Sequence, residues 1–372
     1  MPISASLSAA TRRTVLWLGR QLANQDTPGA WLDPLLASVN PLWVQAYTPA
    51  QVERVERETA DTLTFTLRPA RRWTGFQAGQ HVTVGVDIDG VRHHRTFSLS
   101  SPPTLWQRQG RITLTIKRQP GGRVTPWLHQ HLTPGQTLAL GEAFGDFLLP
   151  EPAQPLLFIA GGSGITPILS QLETLVAGDA RVPMTLIYCV RTPADVIAAE
   201  RLRALDARSP ALTVTIVTDD GPRSSRHLGD AHLDTVPGLK ARQVYLCGPQ
   251  GLMELAESQL LQRGLRSSQI RRASFSVGPA RALDPGTTGG TVTFRRAGVS
   301  VDATGDASLL ALAEAAGLNP RYGCRMGICH QCSCRKTGGT VLNRLTGKPS
   351  GPGEETVQLC VSVPAGPVTL EL

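Results

Sequence analysis

Cys324, Cys329, Cys332 and Cys360 fall in the pattern C-x4-C-x2-C followed by a distant fourth cysteine, a spacing in which four thiolates hold a 2Fe-2S cluster. Three thiols in one tight loop can wrap a small cluster while a later segment supplies the fourth. Gly323 and Gly327 let the backbone bend close to the sulfurs. The chemistry this set points to is one-electron transfer. A structural zinc site is the plainer alternative, but zinc favours paired C-x2-C knuckles and this chain has one such pair beside an x4 step. Cys334 is a fifth thiol next to the loop and reads as a bystander.

Two glycine turns follow apolar segments that read as strands. In Gly161-Gly-Ser-Gly-Ile-Thr-Pro167 the glycines Gly161, Gly162 and Gly164 allow close approach to a phosphate. The start of the next helix offers unpaired N–H groups, and Pro167 suits its first turn. The spacing is not G-x-G-x-x-G, so an ordinary strand-to-helix turn stands beside the nucleotide reading. In Cys247-Gly248-Pro249-Gln-Gly-Leu-Met253 the thiol is either a small core residue or a group lining a ligand pocket. Earlier in the chain, Arg95-Thr96-Phe97-Ser98 and Gly121-Gly122-Arg123-Val124-Thr125 stand out. Arg95 can pair with phosphate, Phe97 offers an apolar face to an aromatic ring, and Ser98 offers a hydroxyl. Strand alternation puts Arg95 and Phe97 on one face and Ser98 on the other, and an ordinary strand and turn would look the same.

These residues need elements to carry them. With 372 residues the chain is long enough for two or three cores. Residues 1–50 read as an N-terminal helical extension with apolar patches at Trp17-Leu18 and Pro41-Leu42-Trp43, packing on the rest or touching a membrane surface. Residues 51–150 run in short alternating strands (62–67, 81–86, 95–99, 111–116) separated by Gly- and Pro-rich turns, with no helical pattern between them, which predicts a small antiparallel barrel. Residues 151–277 alternate strand and helix (strands 156–160, 185–190, 212–217, 243–247), which predicts a parallel, doubly wound sheet. Residues 278–290 read as a linker, and residues 291–372 as a small α+β domain with a strand at 291–294, a helix near 308–316 and the cysteine loop.

The net charge of +8 is spread along the chain without a basic run, so it does not indicate a nucleic-acid partner. Residues 290–372 hold eight basic and six acidic side chains. Such a domain is not recruited to its donor by acidity, and the donor is expected in the same chain. No apolar run has the length of a membrane span and no signal-peptide pattern stands at the start, so a cytoplasmic location is expected. Cys189, Cys247 and Cys334 form no disulfide framework.

Taken in order, R-x-[YF]-S, a later G-x-x-[ST], G-G-x-G-I-T-P, C-G-P and the cysteine loop resemble the ferredoxin-NADP reductase superfamily over residues 50–277, with a plant-type ferredoxin domain over 290–372. The resemblance implies a flavin barrel, an NAD(P)-binding sheet and a ferredoxin-like 2Fe-2S domain. It implies Arg95 at the flavin phosphates, Phe97 against the flavin, Ser98 near its reactive nitrogen, and residues 122–125 at the pyrophosphate. Thr166 and Cys247 would lie near the nicotinamide, with Cys247 and Ser98 in catalytic positions. Phe97 stands where tyrosine is usual, and Ala273, before Phe275, where relatives often carry glutamate, so flavin tuning is expected to differ. The glycine-rich second motif is similar to FAD-binding relatives, with FMN as the alternative. Asp219 and Asp220 would repel a 2′-phosphate while Arg223 and Arg226 would bind one, which leaves NADH against NADPH open.

The implied activity is an NAD(P)H-dependent oxidoreductase passing single electrons to an oxygen-activating partner. The Asn40–Trp43 segment and the Gly327–Cys332 loop look most like the partners of membrane fatty-acyl desaturases. The alternatives are the reductase of an oxygenase or epoxidase, and a redox sensor whose cluster reports rather than conducts.

Overall fold

The computed structural model describes residues 33–45, 47–89, 91–218, 228–274, 288–304, 307–320, 322, 327 and 332–372. Residues 1–32, Asp219, Asp220, Arg223, Arg226, Phe275, Cys324 and Cys329, and most of the linker, lie outside the described residues.

A helix α1 (Asp33–Val39) and a short 3-10 turn at Pro41–Trp43, capped by the Asn40 side chain on Leu42 N, lead into six antiparallel strands. These are β1 (Thr48–Thr59), β2 (Thr62–Pro69), β3 (His81–Ile88), β4 (Val91–Ser98), β5 (Ile112–Lys117) and β6 (Thr137–Phe144), in the spatial order β4-β3-β6-β1-β2-β5. The two end strands meet through the Leu99–Leu114 bridge and the Ser100 N to Thr113 O bond at 2.9 Å, closing the sheet on itself. Phe65, Leu67, Val82, Val84, Ile112 and Leu114 alternate inward to fill it.

The strand rhythm predicts no helix here, and the structure contains two: α2 (Pro103–Gln109) and α3 (Val124–His131). Both are too short to show a 3.6-residue period. Their cues are punctuation: α2 opens on Pro103 and stops at Gly110, whose φ of 65° is the left-handed C-cap geometry glycine adopts freely. β1 and β6 escape the strand pattern because Glu53, Arg54, Glu56 and Arg57 crowd β1 and Gly141 interrupts β6.

The next unit is a parallel sheet, β11-β10-β7-β8-β9, built from β7 (Leu156–Gly161), β8 (Met184–Val190), β9 (Leu212–Thr218), β10 (Gln243–Cys247) and β11 (Ile270–Ala273). Every residue of β7 and β10 is buried, as expected of strands covered on both faces. Helices α4 (Ile165–Ala177), α5 (Ala199–Arg208), α6 (Asp230–Asp234) and α7 (Gln250–Gln262) connect the strands.

The C-terminal unit pairs β12 (Gly289–Phe294), β13 (Val299–Thr304), β14 (Ser333–Gly338), β16 (Glu355–Gln358) and β18 (Val368–Leu370) in the order β13-β12-β18-β14-β16, with β15 (Val341–Asn343) and β17 (Ser362–Pro364) as a separate pair. Helix α8 (Leu309–Ala315) is capped by Ser308, which accepts from Ala311 N, and buries Leu309, Leu310 and Ala313.

Candidate functional site

The parallel sheet reverses its winding between β7 and β10: the chain runs outward through β8 and β9, then returns to the other side of β7. Loops leaving the carboxyl ends of two such strands diverge and open a crevice. Here the two loops also touch. A Cβ on Gly164 would lie 2.0 Å from the carbonyl oxygen of Cys247, and one on Gly248 would lie 2.9 Å from Gly161 N, so the crossing admits only glycine at both positions. Neither α4 nor its preceding turn has a side-chain cap; Ile165 N turns back onto Gly162 O and Ser163 O and Pro167 has no N–H, so an anion would be met by the remaining amides of the turn. Thr166 is buried, with its hydroxyl on Ser163 O at 3.0 Å.

A cleft of about 490 Å³ opens at this point, lined by Gly161, Gly162, Cys189, Arg191, Asp195, Pro249 and Leu252, with Lys117 reaching in from the barrel. This is a nest suited to a dinucleotide. Sequence reading missed Cys189 and Arg191, although the strand-end rule points to the residues that close β8. Lys117 carries no motif and enters only because β5 packs beside the Gly162–Gly164 turn.

Cys247 itself is fully buried in the core with Phe158 and Tyr245, and burial pushes its thiol above the ordinary cysteine range. Its carbonyl, rather than its sulfur, meets the glycine loop.

In the barrel, β4 places Arg95 opposite Val84, Thr96 opposite Thr83, Phe97 opposite Val82 and Ser98 opposite His81. Arg95 is exposed, with Nη1 on His94 O at 2.7 Å. Thr96 is half-buried, Phe97 packs on the barrel core, and Ser98 is buried. Helix α3 contacts both β3 and β4 and so brings residues 121–125 alongside. Gly121 has φ 71° and open space where a Cβ would stand. The α3 start at Arg123 lacks a side-chain cap, Val124 is buried, and Thr125 Oγ1 holds Gln119 N at 2.9 Å. Gly122 lies against the Gln119 carbonyl. Uncapped amides beside the exposed Arg95 and Arg123 fit the phosphates of a flavin nucleotide.

The two nucleotide regions are fastened together. Ser170 and Gln171 of α4 donate to Ser101 O and Phe147 O, both at 2.6 Å, and Tyr245 donates to Leu148 O at 2.6 Å. Arg201 bonds Ser100 O at 2.8 Å and Glu173 at 2.7 Å. Ser100 and Ser101 follow the flavin strand directly, so the helix that begins at the dinucleotide loop is tied to that strand's end.

In the C-terminal unit the structure brings Cys332 and Cys360 together, Sγ to Sγ at 3.2 Å, from positions distant in sequence. Gly327 N donates to Cys360 Sγ at 3.2 Å, and Gln358 holds Gly327 O at 2.9 Å. Gly327 has φ 73°, and a Cβ there would press on Leu345 and Val361 at 2.8 Å. An amide aimed at a buried sulfur favours a thiolate, which fits a metal-bound cysteine. Cys334 lies in β14 with its sulfur against Arg335 O at 3.7 Å, and burial raises its thiol. Lys336 on the same strand is fully buried, its ammonium donating to the carbonyls of Gly339, Gly351 and Gly353.

Fold and site together define an NAD(P)H-dependent oxidoreductase that carries a flavin unit, a nicotinamide unit and an iron-sulfur unit in one chain. Family models agree: an oxidoreductase FAD-binding domain matches residues 38–148, an oxidoreductase NAD-binding domain residues 158–258, and a 2Fe-2S iron-sulfur cluster binding domain residues 292–365. An NADPH oxidoreductase of Mycobacterium tuberculosis (strain ATCC 25618 / H37Rv) is 34% identical over 359 residues, covering 95% of this chain and 92% of that one. The glycine betaine monooxygenase reductase subunit of Chromohalobacter salexigens is 29% identical, covering 89% of this chain and 98% of its own. The solved structure of phthalate dioxygenase reductase, titled a modular structure for electron transfer from pyridine nucleotides to 2Fe-2S, superposes with a TM-score of 0.61 at 25% identity, over 88% of this chain and 98% of that chain. The chain belongs to the ferredoxin-NADP reductase superfamily, in the group that carries a C-terminal 2Fe-2S domain.

Proposed function

We propose that this reductase serves a membrane fatty-acyl desaturase, taking electrons from NAD(P)H and delivering them singly to that oxygen-activating partner. The observation that carries the electron path is the joining of the flavin strand's end to the dinucleotide helix through Ser100, Ser101, Ser170 and Arg201. A flavin held here would supply the conversion of a two-electron hydride donor into single electrons, and a 2Fe-2S cluster one-electron transfer. The chain's own residues orient these groups. Arg95, Thr96, Gly121, Gly122, Arg123, Val124 and Thr125 hold the flavin nucleotide, Phe97 presents an apolar surface to its ring, and Ser98 offers a hydrogen bond beside it. Gly161, Gly162, Gly164, Thr166, Gly248 and Pro249 shape the dinucleotide turn. Cys247 supports it from beneath as a neutral thiol. Cys324, Cys329, Cys332 and Cys360 are the cluster ligands of this proposal.

The desaturase reading is supported by the likeness of Asn40–Trp43 and of the cysteine loop, and Trp43, Leu35 and Val39 are exposed. No helix among the described residues is long and apolar enough to cross a membrane. The second reading, the reductase of a soluble oxygenase, is favoured by the betaine monooxygenase reductase relative.

An anaerobic absorbance titration with NADH and with NADPH tests the path. Flavin and iron-sulfur bands are expected to bleach in turn, with one donor preferred. Bleaching of flavin alone, with zinc in place of iron, would overturn it. Membranes carrying a desaturase and supplied with this protein and the preferred donor should then form unsaturated acyl chains. Turnover with a soluble oxygenase but none with such membranes would favour the second reading.

A further inference from the structure

Tyr188 is fully buried in β8, and its hydroxyl has a defined task. It donates to Gly162 O at 2.9 Å and accepts from Ile197 N at 3.3 Å. Gly162 is the left-handed residue of the dinucleotide turn, with φ 51°. Across a planar trans peptide the carbonyl and the next N–H point in opposite directions. Anchoring Gly162 O on a core hydroxyl therefore turns Ser163 N–H away from the core. Burial raises the phenol of Tyr188, so the hydroxyl stays protonated and able to donate.

The other end of this arrangement lies in the barrel. The residue after Ile197 is Ala198, a non-glycine residue at φ 57°, buried and capping the start of α5. Its N–H donates to Glu58 Oε2 at 3.0 Å, across the boundary between the two units. Glu58 Oε1 accepts from Thr64 at 2.7 Å. Thr64 is in line with Thr115 and Ser100, each step 2.8 Å, and all three are buried. Because a carboxylate only accepts, Thr64 donates to Glu58 and Thr115 in turn to Thr64, while the one hydroxyl proton of Ser100 serves either Thr115 or Thr113 O at 3.2 Å. Consecutive amides at 197 and 198 are thus gripped from opposite sides, one by the nicotinamide-binding unit and one by the barrel.

We propose that Tyr188 and Glu58 are positioning residues for the dinucleotide: Tyr188 sets the orientation of the Gly162–Ser163 peptide, and Glu58 fixes the Ile197–Ala198 backbone against which Tyr188 is held. The proposal rests on the reading of the 161–166 turn as the pyrophosphate cradle. Neither residue touches the reacting atoms. Both act through backbone groups, and the line they form ends at Ser100, next to the flavin strand.

The test is the dissociation constant, by calorimetry on the flavin- and iron-loaded protein, of whichever of NAD⁺ and NADP⁺ binds better, beside that of nicotinamide mononucleotide, which lacks the pyrophosphate link. Wild-type protein is expected to prefer the dinucleotide by roughly tenfold or more. Tyr188→Phe should weaken the dinucleotide about five- to tenfold and leave the mononucleotide and flavin content unchanged, with a lower unfolding midpoint from the lost buried hydrogen bonds. Glu58→Gln should weaken it about threefold, and the double variant should be no worse than Tyr188→Phe alone, since residues acting as one unit are not additive. A dinucleotide affinity unchanged in Tyr188→Phe, or a double variant whose loss is the product of the two single losses, would overturn the proposal. A wild-type protein that fails to discriminate the two ligands would instead remove the cradle reading itself, and the proposal with it.

Discussion

Cys247 ends β10 with its sulfur in the core and its carbonyl against the glycine loop. Chemistry and packing have separated within one residue: the backbone shapes the crossing, and the side chain fills space behind it. Because burial raises this thiol above its ordinary value of 9.0, the folded protein holds the proton more tightly than the unfolded chain. Below that pH the group is stability-neutral, and above it stability falls as pH rises. At pH 8 iodoacetamide should therefore leave Cys247 unmodified in the native protein and modify it after unfolding, as read by peptide mass. Cys189, which lines the cleft, should be modified in the native protein and shielded by the bound dinucleotide. Prompt native labelling of Cys247 would contradict the burial argument. At this scale the sequence announced the glycines and cysteines, whose types restrict what they can do. It was silent on Tyr188, Glu58 and Lys117, which are ordinary residues given a role by neighbours far away in the chain.

The element that concentrates most of the site is α4. The turn before it lines the dinucleotide cleft, and its second and third turns carry Ser170, Gln171 and Glu173 to the barrel and to Arg201. Gly164, immediately before it, has helical φ of −62°, so its need for glycine is steric and not conformational. Gly164→Ala would drive a methyl into the Cys247 carbonyl. The loss expected is about 1–3 kcal/mol from forced overpacking, measured as a lower urea midpoint. Dinucleotide affinity should fall as well while flavin is retained, because the change splays the two loops without reaching residues 121–125. An unaffected dinucleotide affinity would show that the crossing does not shape the cleft. The parallel sheet was legible because fully buried strands read as continuous apolar runs. The barrel was only half legible: β1 carries charges on its outward face, and α2 and α3 are shorter than the period by which helices are recognised.

At the scale of the molecule, the barrel and the nicotinamide-binding sheet share buried hydrogen bonds at Ser101 and Phe147 and part-buried ones at Leu148, Ser100 and Glu58. Two units joined this closely are expected to unfold as one. The sequence provides a clean readout, since all six tryptophans lie between Trp17 and Trp127, outside the nicotinamide-binding sheet. In urea, the tryptophan fluorescence transition and the exposure of Cys247 to a thiol reagent should share one midpoint. Separated midpoints would mean that the two units are independently stable. This joining was not visible in the sequence, because each bond pairs a commonplace hydroxyl, amide or guanidinium with a backbone carbonyl or a carboxylate in another unit.

The strand order of the barrel also bears on how the protein is made. β6 lies between β1 and β3 although it is the last of the six strands in the chain. A ribosome releasing the chain from its N-terminus therefore exposes a gap with two bare strand edges, and it stays open until Thr137–Phe144 has emerged. Bare edges invite pairing with other chains. Translation that stalls or ends before Thr137 leaves a product that cannot close on itself, so the completeness of synthesis, and not only the fold's final stability, decides how much of this reductase a cell obtains in usable form.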